Sequence, residues 1–126
     1  MKLAILSQLG PNTYLVPHYG WGFHSNHILR CHYGIALPES CEQSYISVQN
    51  NWSDIPETQS HKLNNWIVFD DSKLHFAVNS SNNTRIVLII DLDRPYYVKP
   101  GISDITDTNE LHNIIEQIAI ANSLDN

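Results

Sequence analysis

The chain is poor in basic residues and in long apolar runs. Seven lysines and arginines stand against thirteen acidic residues, for a formal net charge of −6. Proteins that bind nucleic acid or anionic membranes usually present a basic surface, so we expect neither partner. The longest apolar run, residues 86–90, is far too short to span a bilayer. The N-terminal stretch lacks the apolar core of a signal peptide, which predicts a cytoplasmic protein.

Cysteine is also scarce, with Cys31 and Cys41 as the only two. Their spacing does not require a disulfide, and reduced thiols agree with the expected cytoplasmic location. The chain has 126 residues, of which 42% are hydrophobic. That is enough to form one core without disulfides, so we expect a single domain over residues 1–126.

Short strand-like segments separated by turn residues fill most of the chain. This pattern predicts strands over about residues 2–95 and is typical of an antiparallel sandwich or barrel. The segments read KLAIL, TYLVP, NHILRCHYGIAL, SYISV, NWIVF, LHFAV and RIVLIIDL.

The C-terminal part has a different, helical pattern. Asp107 is a plausible N-cap, and Glu110 follows it at the capping-box spacing. Apolar residues then recur on one helical face, which predicts a helix over about residues 108–122. These residues are Leu111, Ile114, Ile115 and Ile118. His112 is expected on its surface.

Two arginines lie on or at the start of apolar strands. Arg30 and His32 are two residues apart, so they share one face of a strand. An unpaired guanidinium is costly to bury, so this face is either solvated or binds an acid. Arg85 begins a strand apolar enough to be central in a sheet. Because arginine binds carboxylates in bidentate fashion, a ligand with two carboxylates fits the pair.

The histidines raise the possibility of a metal site. Four of the seven lie in residues 16–34, and His75 lies on a later predicted strand. A non-haem Fe(II) oxygenase uses two histidines and one carboxylate, often with the first two ligands as His-x-Asp or His-x-Glu. His18 and Gly20 have that spacing, but glycine stands where the carboxylate belongs. The spacing alone leaves both metal ligands and ordinary structural histidines open.

Four segments in order resemble the aspartyl/asparaginyl β-hydroxylases, a branch of the Fe(II)/2-oxoglutarate oxygenases. They are LVPHYG, HSNHILRCHYGIALP, IVFDDSKLHFAVN and RIVLIIDLDRP, and the match runs over about residues 7–95. The resemblance implies a mainly β fold, a double-stranded β-helix (jelly roll, cupin-like). We expect the C-terminal helix to follow this oxygenase-like domain.

The resemblance also implies roles for particular residues. His18 and His75 match the two iron ligands, and Gly20 matches a glycine that is unusual among these oxygenases, so water can complete the coordination. Arg85 matches the arginine that binds one carboxylate of 2-oxoglutarate, and Ser7 assists that contact. The pair that holds the other end of this cosubstrate corresponds to Arg30 and His32.

The chain departs from the family pattern at three places. Asn65-Trp66 replaces a glycine that is common before the Phe-Asp-Asp block. Ser7 lies close to the N-terminus, where family domains usually have a longer preceding segment. Residues 21–25, WGFHS, lengthen a connection that is shorter in the family. Trp21 and Phe23 in this segment either face a substrate or belong to a surface turn. These departures leave the substrate open.

The remaining polar and aromatic candidates are expected to be structural. His24 and His27 are interpreted as loop residues, and Asp70 and Asp71 as hydrogen-bonding groups of a turn and strand end. Trp52 and Trp66 are expected to pack against other side chains.

The resemblance implies a hydroxylase that uses Fe(II), 2-oxoglutarate and O2. Its expected substrate is an Asp- or Asn-type residue in a peptide or protein, or a free amino acid. Relatives that hydroxylate proline or lipid acyl chains are also known, and the lack of a membrane segment makes a lipid the weaker choice. Two alternatives remain: a non-catalytic jelly-roll module that retains an anion pocket, and a purely structural domain.

Overall fold

A computed structural model describes residues 2–105, and these residues form eight strands and one short helix. The helix, α1, covers Gly22–Ser25, and a 3-10 turn covers Cys41–Gln43. The predicted helix at about residues 108–122 lies outside the described residues. The strands are β1 Leu3–Leu9, β2 Thr13–His18, β3 Ile28–Ala36, β4 Ser44–Gln49, β5 Glu57–Ser60, β6 Trp66–Phe69, β7 Leu74–Asn79 and β8 Arg85–Asp93.

The strands form two four-stranded antiparallel sheets. One sheet has the order β1-β8-β3-β6, and the other has the order β2-β7-β4-β5. Consecutive strands therefore alternate between the sheets along much of the chain, as they do in a double-stranded β-helix. The mainly β, jelly-roll fold predicted from the sequence is confirmed.

The hydrophobic core lies between the two sheets. It contains Leu9, Ile46, Ile67, Phe69 and Ala77, which come from four different strands. In each strand the side chains alternate between the two faces of the sheet, so each contributes only part of its length to the core.

Strand β8 shows how this alternation places charge inside the protein. Its buried positions are Arg85, Val87, Ile89 and Asp91, while the residues between them are only partly buried. An arginine and an aspartate therefore lie on the same inward face as two core aliphatic side chains. This face forms one wall of the space between the sheets.

The strand register brings distant polar residues together. His18 on β2 lies directly opposite His75 on β7. On the other sheet, Arg30 on β3 lies opposite Asp91 on β8. Directly opposed residues of antiparallel strands have side chains on the same face with Cβ atoms roughly 5 Å apart. The register thus pairs residues that are 57 and 61 positions apart in the chain.

Some local features differ from the expectations. The polar edge strand β5 and the helix α1 have no strong periodicity and were not predicted. Trp52 is 69% exposed, so its expected packing role is wrong. Trp66 packs on Tyr33, with ring centroids 4.8 Å apart. Among the described residues, no helix has the length and apolarity required to cross a bilayer.

Candidate active site

A cavity of about 270 Å³ opens between the two sheets. Its wall is mostly apolar, with a small number of polar side chains that converge from both sheets. Six of the predicted site residues line it: Ser7, His18, Arg30, His32, His75 and Arg85. The apolar lining residues are Ile5, Leu6, Leu15, Ile46, Phe69, Ala77 and Ile89. An apolar cleft with a few convergent polar groups is the usual form of a small-molecule site.

His18 and His75 form a pair on one wall, with ring centroids 4.4 Å apart. His18 Nδ1 donates to the Val16 carbonyl and His75 Nδ1 to the Lys73 carbonyl, each at 2.7 Å. With Nδ1 as the donor to the backbone, Nε2 of each ring is the nitrogen left to bind a metal. Histidines that bind metals commonly donate their other ring nitrogen to a backbone carbonyl in this way.

The electrostatic state of His18 also fits a metal ligand. Burial, followed by the nearby His75 ring, lowers the pKa of His18 to about 4. The imidazole is therefore neutral at physiological pH, and no proton has to leave before Nε2 binds a cation.

A buried carboxylate, Asp71, lies beside this pair. Its Oδ1 lies 3.2 Å from His75 Nε2 and 3.1 Å from Arg30 Nη1, but neither contact has hydrogen-bond geometry. Burial raises the pKa of Asp71, yet His75, Arg30 and the Ser25 hydroxyl outweigh burial and hold it well below its usual range. Within residues 2–105, no set of three or more His, Cys, Asp or Glu side chains has metal-binding geometry.

Arg85 carries a buried positive charge at another part of the cavity. The residue is 1% exposed, and its Nη2 donates to Ser7 Oγ at 3.0 Å. Its Nε and Nη1 are buried and make no hydrogen bond within the described residues. Burial lowers the pKa of Arg85 to about 10, so the guanidinium stays charged at neutral pH. A buried cation with free donors is suited to bind an anion.

Arg30 has a different environment, because two carboxylates already balance its charge. Its Nε and Nη2 both donate to Asp91 at 2.8 Å, and its Nη1 lies near Asp71. Burial lowers the pKa of Arg30, but the bonds to Asp91 and the charge of Asp71 outweigh burial and raise it overall. Arg30 therefore offers the cavity oriented N–H groups, whereas Arg85 offers uncompensated charge.

His32 belongs to a buried chain of polar side chains that the sequence did not reveal. Its Nδ1 lies 3.2 Å from His61 Nε2, and His61 Nδ1 lies 3.0 Å from Ser44 Oγ. Burial and then the Arg85 charge lower the pKa of His61 to about 3, and the same two causes hold the pKa of His32 well below its usual value. Both rings are therefore neutral, and His61 helps to orient His32 at the cavity wall.

The other candidates lie away from the cavity. Trp21 immediately precedes α1 and Phe23 lies on it; their ring centroids are 5.8 Å apart, and neither lines the cavity. Their role in substrate binding stays a prediction. His27 is exposed, while His24 Nε2 lies 2.8 Å from Asp91 Oδ2. Asp70 bonds to Ser72 and Arg94, as expected for a turn residue.

Three histidines with a lowered pKa, His18, His32 and His61, predict that acid weakens the fold. An unfolded histidine has a pKa near 6.5, so between that value and the lower folded pKa the unfolded chain binds protons that the folded protein does not. The free energy of unfolding should be flat above about pH 7 and fall below about pH 6.5, by up to about 1.4 kcal/mol per pH unit for each histidine. Urea unfolding of the metal-free protein at a series of pH values measures this slope.

The contribution of His61 can be isolated with two variants. His61→Gln should reduce the slope, because one titrating group is removed. The matched change at the exposed position, His27→Gln, should leave the slope unchanged. Equal slopes in the wild type and both variants would show that His61 is not held neutral in the folded state.

Comparison with known proteins agrees with this arrangement of residues. A family model described as aspartyl/asparaginyl β-hydroxylase matches residues 1–95. The chain belongs to this family. The four segments that suggested the resemblance, which lie between residues 15 and 95, are all within the matched region.

Several curated relatives match the same part of the chain. Human aspartate β-hydroxylase domain-containing protein 2 is 30% identical over 95 residues, covering 73% of this chain and 22% of that protein. The ornithine lipid ester-linked acyl 2-hydroxylase of Rhizobium tropici is 32% identical over 95 residues, covering 75% of this chain and 31% of that protein. The chain thus spans less than a third of the length of these relatives.

The fold also resembles a solved non-haem monooxygenase, the ThoJ–Ni complex. The TM-score is 0.51 at 8% sequence identity, and the match covers 97% of this chain and 61% of that structure. At this identity the similarity concerns the fold alone, and it supports the jelly-roll architecture.

Proposed function

We propose that the protein is an Fe(II)- and 2-oxoglutarate-dependent hydroxylase. His18 and His75 would hold the iron. Arg85 and Ser7 would bind one carboxylate of 2-oxoglutarate, and Arg30 and His32 would hold the end nearer the metal. The observation that carries this proposal is one cavity with two imidazoles whose Nδ1 atoms both bond to backbone carbonyls, and a buried guanidinium that still has free donors.

The residues that line the cavity fit both Fe(II) and 2-oxoglutarate. The Nδ1 bonds fix both imidazoles in the tautomer that exposes Nε2, and the unbonded Asp71 Oδ1 supplies negative charge beside them. When bound, the iron supplies the oxidation of 2-oxoglutarate by O2 to succinate and CO2, with one oxygen atom inserted into a substrate C–H bond.

The protein's own side chains have positioning tasks in this scheme. Arg85 neutralises a carboxylate inside the cavity and Ser7 limits its rotation, which fixes the direction of the cosubstrate. His32, neutral and held by His61, can hydrogen-bond a carboxylate without adding charge. The apolar walls exclude bulk water and so strengthen these contacts.

For the substrate, we propose an Asp- or Asn-type residue in a peptide or protein, or a free amino acid. The family description and the names of the vertebrate relatives support this class. Ile5 and Leu6 at the cavity are 45% and 66% exposed, so they are available to contact an incoming substrate. The acyl 2-hydroxylase relative motivates an acyl chain as the comparison substrate.

Succinate release tests the proposed activity. The purified protein with Fe(II), ascorbate and 2-oxoglutarate is expected to form succinate slowly without substrate, because such oxygenases also turn over uncoupled. Mass spectrometry of candidate peptides and amino acids should then show the gain of one oxygen atom. No succinate, together with no thermal stabilisation by Mn(II) plus N-oxalylglycine, would contradict the proposal. Stabilisation without any succinate would favour a non-catalytic binding module.

A further inference from the structure

Residues 21–25, which lengthen the connection between β2 and β3, direct two polar side chains toward the site. His24 Nε2 lies 2.8 Å from Asp91 Oδ2, and Ser25 Oγ donates to Asp71 Oδ2 at 2.5 Å. Both side chains come from α1, and both acceptors are buried carboxylates. The segment is therefore more than a surface turn.

These two carboxylates are the partners of Arg30. Asp91 accepts from Arg30 Nε and Nη2, and Asp71 Oδ1 lies 3.1 Å from Arg30 Nη1. Each carboxylate thus joins Arg30 on one side to α1 on the other. His24 and Ser25 reach the arginine only through Asp91 and Asp71.

The contacts of α1 complete the hydrogen bonding of both carboxylates. A carboxylate has roughly four acceptor sites. Asp91 is fully buried, and Arg30 supplies two of its donors while His24 supplies a third. The Ser25 bond holds Asp71, whose other oxygen lies near Arg30 and His75 without hydrogen-bond geometry. Removing either donor would leave a buried carboxylate freer to rotate, and Arg30 with it.

The backbone around α1 is built to keep these donors in place. Gly22 N donates to the Ile105 carbonyl at 2.9 Å, and the Asn26 side chain makes two hydrogen bonds to the Ser103 backbone. A methyl group on Gly20 would lie 2.0 Å from Ser25 Oγ and 2.3 Å from Asp71 Oδ2. The glycine therefore provides the space in which Ser25 reaches Asp71.

We propose that His24 and Ser25 are positioning residues for Arg30. Through Asp91 and Asp71 they fix the guanidinium at the cavity wall, in the orientation that receives the cosubstrate. The identity of that ligand as 2-oxoglutarate rests on the proposed function, whereas the fixed orientation of Arg30 does not.

Steady-state kinetics test the proposal with matched variants. His24→Ala should raise the KM for 2-oxoglutarate about tenfold, the effect of one lost hydrogen bond to a charged group, with kcat changed less than about twofold. His24→Gln retains an N–H donor and should restore most of the affinity. The exposed control, His27→Ala, should match the wild type. A wild-type KM in His24→Ala, or an equal rise in His27→Ala, would overturn the proposal.

A second measurement does not depend on turnover. In the metal-free protein, 15N NMR of Arg30 should show an Nε–H that exchanges slowly with water, because it donates to buried Asp91. Exchange should be faster in His24→Ala and Ser25→Ala, and unchanged in His27→Ala. If the wild-type protein shows no turnover but the variants show these differences in Arg30 exchange, the proposed function is refuted and the positioning role is supported. An active wild type whose Arg30 exchange is the same in all variants would refute the positioning role alone.

Discussion

Replacing Arg85 with methionine is expected to make the metal-free protein more stable while abolishing its binding of 2-oxoglutarate. The guanidinium is 1% exposed, and two of its three nitrogens have no hydrogen bond within the described residues. A buried charge without an anion costs free energy, so removing it should raise the free energy of unfolding by about 1–4 kcal/mol. Methionine fills much of the same volume and tolerates irregular spaces.

The same substitution removes the charge that the cosubstrate carboxylate would bind. Losing one partner of a buried, hydrogen-bonded ion pair should weaken binding at least about a hundredfold. Urea unfolding and calorimetric titration with N-oxalylglycine in the presence of Mn(II) measure the two effects separately. Reduced stability with unchanged ligand affinity would mean that Arg85 has a structural role and does not bind the cosubstrate.

Arg94→Met is the matched control for the stability effect. Arg94 already has partners, because its guanidinium bonds to Asp70 and to the carbonyls of Ser25 and Lys99. Its removal leaves Asp70 without its cation, so stability should fall. If Arg85→Met raises the free energy of unfolding and Arg94→Met lowers it, Arg85 is retained at the expense of stability, as is common for functional residues.

Gly20→Asp is expected to inactivate the protein, although it places a carboxylate at the position used by many non-haem iron oxygenases. A Cβ at this position would lie 2.4 Å from the Asp71 backbone carbonyl, which accepts the Gly20 N–H. Because that carbonyl is held by the backbone, the clash cannot be relieved by a side-chain rotation. Overpacking of this kind costs about 1–3 kcal/mol, and a second carboxylate beside Asp71 adds like-charge repulsion.

Comparison with Gly20→Ala separates the steric effect from the charge effect. Both variants should lose stability, and both should displace Ser25 from Asp71, with at least a tenfold fall in kcat/KM for Gly20→Ala and a larger one for Gly20→Asp. Thermal unfolding measures the loss of stability, and succinate release measures kcat/KM. An active Gly20→Asp with wild-type stability would show that Ser25 and Asp71 leave room for a side chain at position 20.

The alternation of residues along the strands made much of the site predictable. Because strand side chains alternate between faces, Arg30 and His32 were expected on one wall, and both line the cavity. The apolar segment after Arg85 likewise indicated a central strand, and β8 lies between β1 and β3. Local periodicity could not pair His18 with His75, because their register depends on how β2 and β7 meet. That pairing came from the family resemblance.

Other parts of the site depend on tertiary contacts that no local pattern encodes. Asp91 follows the apolar part of β8, and nothing in its sequence neighbourhood indicates that it binds both Arg30 and His24. His61 follows a four-residue polar edge strand with no clear periodicity, and its partners Ser44 and His32 belong to other strands. Helix α1 is only four residues long, too short for helical periodicity to appear.

Anaerobic optical titration tests the central claim most directly. A 2-oxoacid that chelates protein-bound Fe(II) through its carboxylate and keto oxygens gives a visible charge-transfer band, and no substrate is needed to observe it. We expect this band when Fe(II) and 2-oxoglutarate are added together to the wild-type protein, and a much weaker band at the same concentrations with Arg85→Met. We expect no band with His75→Ala. A folded wild-type protein that gives no band at saturating Fe(II) and 2-oxoglutarate would contradict the account.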